Sequence, residues 1–203
     1  MINEVFEAEQ YLAGKNINKR CVYRMCYILA KYYLDQGFDV INTREKIFDW
    51  ANNNGVYINS SLSAIVYKAS VDGVKLRENV RVFVSKDDIK EIERRFDTKN
   101  TKMIALAFLC YGKVAAGSDG ECSISCTSLA NWIGIDYSHL MSRYLPQMSA
   151  FKYVSKVENK KRKWVKDSKS EISKFKYHID LKNEGEFELK DNNLAELFAT
   201  VFS

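Results

Sequence analysis

At 203 residues with 46% hydrophobic side chains, the chain can bury a real core in one large domain or two small ones. Five cysteines, an odd number at irregular spacing (Cys21, Cys26, Cys110, Cys122, Cys126), argue against a disulfide framework. No run approaches the ~18 apolar residues of a membrane span. The start, Met-Ile-Asn-Glu-Val-Phe-Glu-Ala-Glu, is acidic and lacks the basic opening of a signal peptide, so a cytoplasmic protein with no membrane partner is expected.

In chain order, residues 2 to 13 read as a helix ending at Gly14. A second helix is predicted from Ile17 to Gln36, with Val22, Met25, Ile28, Leu29, Tyr32 and Tyr33 as a broad apolar face. Asn42, with Glu45 three residues on, has capping-box spacing for a third helix that buries Ile47, Trp50 and Ala51. Ser60 or Ser61 opens a fourth, from Leu62 to about Val71. Residues 79 to 84 read as a short strand or extended linker, and a domain boundary is placed within 72 to 85, giving domains 1–78 and 79–203.

Within the first domain, the long helix ending in Gly37, the helix running Ile47-Phe-Asp-Trp-Ala, and the last helix Leu62-Ser-Ala-Ile-Val-Tyr-Lys-Ala form a sequence of features over residues 15 to 71. This resembles the small helical module found C-terminal to the primase domain in phage and plasmid primases. The resemblance implies a phage or plasmid setting. No primase catalytic carboxylate motif accompanies it, so it implies no polymerising activity.

Ser85 and Asp88 mark the start of a helix reaching Arg95, and another begins near Asn100 or Thr101 and runs through Ile104, Phe108, Leu109 and Val114. The latter is apolar nearly all round, as a central buried helix should be. Residues 117 to 120 form a loop and Cys122-Ser-Ile-Ser an edge strand.

From Thr127 to Val154 two short helices surround a tight turn. Leu129, Ala130 and Ile133 share one face, Gly134 ends the first helix, and Asp136 caps the second. Met141, Leu145 and Met148 are expected to face inward, leaving Ser138, His139, Ser142, Arg143 and Gln147 outside. This is the pattern of a helix-turn-helix, whose second helix can enter a DNA major groove. A plain helical hairpin in a core would share the periodicity. Pro146, the one proline in the chain, predicts that the second helix kinks or ends early.

The stretch beyond these two helices favours the helix-turn-helix. Strands are predicted at Tyr153–Val157 and Phe175–Leu181, with a long hairpin tip between them. From Lys152 to Lys176 there are ten basic and three acidic residues, a net of +7 in a chain whose total is +5. Such local concentration is the footprint of phosphate binding. Helix, small strand, two helices and a hairpin over residues 100 to 181 resemble the winged helix-turn-helix family, best matched at Leu129, Ala130, Trp132, Gly134, Ser142, Arg143, Tyr144 and Leu145. The acidic tail ends in Leu194-Ala-Glu-Leu-Phe-Ala-Thr-Val-Phe, an amphipathic helix that packs on the core, dimerises or docks to a partner.

Catalytic and cofactor signatures are missing. The chain has no glycine-rich phosphate cradle and no Cys-x-x-Cys, and its two histidines, His139 and His178, lie in unrelated contexts. No metal, cofactor or enzymatic activity is expected. The fold expected is mainly α: a helical domain followed by a winged helix-turn-helix with a small β-hairpin wing. Double-stranded DNA is the expected partner. Tyr137, Ser138, His139, Ser142, Arg143 and Gln147 would meet base edges or flanking phosphates, with Arg143 placed for bidentate guanine contact. Lys160, Lys161, Arg162, Lys163 and Lys166 would hold phosphates, and Trp164 would stack on the backbone or anchor the hairpin. The resemblances imply replication initiation or maintenance of a phage or plasmid, with transcriptional regulation as the alternative and a protein-interaction adaptor as a further one. A homodimer, or a replication or regulatory protein bound to the first domain, would complete the assembly.

Overall fold

The computed structural model describes residues 2–19, 21–58, 61–73, 75–76, 80–157 and 172–202. They form a mainly helical structure with small antiparallel sheets, in two compact units, Ile2–Val80 and Arg81–Ser203.

The first unit is four helices: α1 (Glu4–Leu12), α2 (Val22–Asp35), α3 (Val40–Asn53) and α4 (Leu62–Asp72). The central one is α2, which packs on the other three through Met25, Cys26, Ile28 and Leu29, all fully buried. It begins at Val22 rather than at the predicted Ile17. The predicted cap of α3 is also corrected: Asp39, not Asn42, caps it, accepting from the Asn42 backbone N–H at 2.8 Å and from the Asn42 side-chain amide. A carboxylate three residues earlier thus captures the Asn42 N–H, from which the Glu45 side chain was expected to accept. Ser61 caps α4, and Gly73 ends it in the left-handed region.

Two polar links cross this core. The Trp50 indole N–H donates to the Tyr11 carbonyl at 2.8 Å, while Lys31 pairs with Glu4 where both are buried. Beside them, Arg24 grips the Glu7 carboxylate through Nε and Nη2.

In the second unit β1 (Phe83–Val84) leads into α5 (Lys86–Arg95), whose start carries the predicted capping box of Ser85 and Asp88. Next, α6 (Lys99–Ala115) is buried continuously from Ile104 to Gly112, as its uninterrupted apolar sequence requires. The chain then forms β2 (Glu121–Ser125), α7 (Cys126–Ile133), α8 (Tyr137–His139), a π turn (Leu140–Tyr144) and α9 (Leu145–Ala150). It closes with β3 (Val154–Lys156), β4 (Ile172–Tyr177), β5 (Phe187–Glu188) and α10 (Leu194–Val201).

The main sheet has the order β2-β4-β3, all antiparallel. Cys122, Ile124, Phe175, Tyr177 and Val154 turn to α6, and the Tyr177 hydroxyl donates to the Phe108 carbonyl at 2.9 Å. A second pairing, β1 with β5, was not foreseen, since two-residue strands show no period. Lys113 holds that corner, its ammonium donating to Asp88 and to the carbonyls of Phe83 and Lys182. The tail helix α10 packs on α6 and α7 through buried Leu194, Leu197 and Phe198.

Candidate nucleic-acid interface

The site is built on the turn between α7 and α8. Ser125 caps α7, and Cys126, Leu129 and Ala130 bury its inner face. Gly134 then takes φ +81°, a conformation glycine adopts at no steric cost. Both Gly134 and Ile135 return their N–H groups to the Ala130 carbonyl, at 2.9 and 3.0 Å, which closes the helix end. Two residues on, Asp136 accepts from the Ser138 hydroxyl and from its backbone N–H. Those bonds hold the Asp136 carboxyl below its ordinary range, so it stays ionised where a helix start favours negative charge.

Beyond Asp136 the helical path runs without a break from Tyr137 to Ala150. Pro146 therefore does not end it. The π turn just before the proline accommodates the ring instead. Leu140, Tyr144, Leu145 and Met148 are the buried positions, whereas Met141, expected inside, is only half-buried. Leu140 takes its place because the π turn changes which residues line up below it. Tyr144 is tied to α6 by a bond from the Asn100 amide at 3.2 Å.

Tyr137, Ser138, His139, Ser142 and Arg143 are all exposed and lie within two turns of one another; Gln147 is half-buried. The Ser142 hydroxyl donates to the Ser138 carbonyl at 2.7 Å, and the Arg143 guanidinium lies 5.6 Å from the centre of the Tyr144 ring. At the far end Phe151, Lys152 and Tyr153 return their N–H groups to Gln147, Ser149 and Met148, with Lys152 at φ +50°. Arg95, from the end of α5, donates to the carbonyls of Phe151 and Lys152. That clamp spans 56 residues of sequence, and no local pattern announces it.

Four basic side chains of the +7 stretch lie among the described residues. Lys152, Lys156 and Lys176 are exposed, and Lys174 beside them is paired with Glu121. Antiparallel β3 and β4 bring Lys156 opposite Phe175, so the chain leaves the sheet at Val157 and re-enters at Ile172. Lys160, Lys161, Arg162, Lys163, Trp164 and Lys166 lie outside the described residues.

Among the described residues no three His, Cys, Asp or Glu side chains gather as a metal site would require. His139 is exposed, and His178 shares a hydrogen bond of 2.8 Å with the Ser155 hydroxyl. Burial pushes the Cys110 thiol up to about 12 and the Cys122 thiol to about 11, which makes both poor nucleophiles. What the surface offers is hydrogen-bond donors and acceptors beside positive charge. The chain matches no protein family, no curated protein and no solved structure with which it was compared.

Proposed function

We propose that residues 81–203 are a winged helix-turn-helix domain that binds double-stranded DNA. The observation that carries this reading is the polar face of Ser138, His139, Ser142 and Arg143 on the helix after the Gly134 turn, followed directly in the chain by the +7 segment. The helix enters a major groove, where Arg143 donates to guanine and His139 and Gln147 meet neighbouring base edges. The strand pair β3–β4 is the wing, and its basic residues hold phosphates without reading sequence. Residues 2–80 serve self-association or a replication partner. The role is in replication initiation or maintenance of a phage or plasmid, and a repressor would use the same surface in the same way.

Fluorescence anisotropy on one duplex at several salt concentrations tests this. Replacing Lys160, Lys161, Arg162 and Lys163 with alanine removes four charges from a stretch with little apolar content. If each neutralises a phosphate, log affinity against log salt becomes shallower by about 0.9 per contact, roughly 3.6 in all. An unchanged slope with a lowered melting temperature would make the run a structural surface and favour a protein-interaction adaptor.

A further inference from the structure

The π turn lies in the middle of the helix assigned to base reading, and Pro146 follows it after Leu145. In an α-helix Pro146 would withhold an N–H from the Ser142 carbonyl, and its ring would collide with that oxygen. The chain pairs one residue further back instead: the Leu145 N–H donates to the Leu140 carbonyl. Residues five apart are about 140° apart around an α-helix, but a π turn brings them onto one side. Leu140 and Leu145 are accordingly both buried.

Gln147 shows what this changes. It stands seven residues after Leu140, and in a continuous α-helix two such residues lie within about 20° of each other. A continuous α-helix that kept Leu140 inside would put Gln147 in the buried stripe. One that kept Leu145 and Met148 inside would bury Met141 and leave Gln147 about 80° round from His139. The residue gained in the π turn rotates everything beyond it by about 100°. Leu145 and Met148 fill the stripe, and Gln147 moves to the side that carries His139 and Arg143.

We infer that Pro146, through the π turn it enforces, is a positioning residue that sets the DNA sequence preference by presenting Gln147. This rests on the DNA-binding reading. The test is Pro146→Ala, which restores the N–H and removes the ring. Hydrogen-bond scalar couplings measured by NMR should pair Leu145 with Leu140 in the wild type and with Met141 in the variant. Duplexes selected by the wild type from a random pool supply the second readout. The ratio of affinity for the selected duplex over random duplex should fall roughly tenfold in the variant, the size of one lost base contact. Gln147→Ala should lower the ratio in the wild type and leave it unmoved in the Pro146→Ala background.

Two results would overturn the inference while leaving DNA binding intact. One is a Pro146→Ala protein that keeps both the Leu140 pairing and the wild-type preference. The other is a Gln147→Ala protein that selects the same duplex with the same ratio. A wild type that prefers no duplex removes the DNA reading itself, and is recognised before any variant is compared.

Discussion

Arg95 and Lys152 are joined at 2.6 Å, the guanidinium Nη1 donating to the backbone carbonyl at the end of the helix that begins at Tyr137. The same nitrogen donates to the Phe151 carbonyl, and Glu91 holds Nε at 2.8 Å. A cation is thus fixed where a helix leaves its carbonyls unpaired. Arg95→Ala should lower stability by about 2 kcal/mol, in the range of hydrogen bonds made by a charged group. Arg95→Lys should recover only part, because an ammonium cannot reproduce the planar fork. Urea midpoints of the three proteins measure this; equal midpoints would mean that the clamp contributes nothing.

Gly134→Ala puts a Cβ where nothing lies within 4 Å, so only the backbone conformation opposes it. The expected loss is ~1 kcal/mol, the cost of holding an L-residue in the left-handed region. Asparagine at the same position should cost less, since it tolerates that region. Thermal melts of the two variants should rank in that order.

Lys31 and Glu4 form an ion pair that the core has closed over, with side-chain exposures of 2% and 7%. Lys31→Met should therefore cost about 3 kcal/mol, because it removes the buried ammonium from which Glu4 accepts. Adding Glu4→Leu should return most of that. A double variant no more stable than Lys31→Met would show that the pair itself supplies the stability.

Arg143→Ala should reduce preference for the selected duplex by ~1–3 kcal/mol while barely altering binding to random duplex. The motive is its exposed place one turn into the helix. Equal losses on both would make it a phosphate contact.

Short-range chemistry was the legible part of this fold. Ser85 with Asp88, Ser61 and Gly134 each act through atoms within five residues; the first and last could be read directly from sequence, and Ser61 was one of two adjacent serines it offered. Competition between near neighbours was harder: Asp39 displaced Asn42 as the cap of α3 because a carboxylate is at least as good an acceptor and stood three residues closer to the turn. Pro146 was recognised as a conflict, but its resolution through a π turn depends on which side chains the core accepts, and that is a tertiary matter. Arg95 clamping Phe151 and Lys152, and β5 joining β1, are pairings over long sequence separations that leave no periodic trace.

The strand order has a consequence for how the protein is made. β2 and β3 do not touch each other; each pairs only with β4, which is the last of the three to be synthesised. Until Tyr177 has left the ribosome, both helices of the turn motif are in the nascent chain with no completed sheet behind them. Non-local pairing of this kind delays folding and prolongs the exposure of apolar surface. A message truncated between codons 157 and 172 would release a polypeptide with two unpaired strands, a substrate for proteases and chaperones rather than a shortened but working domain.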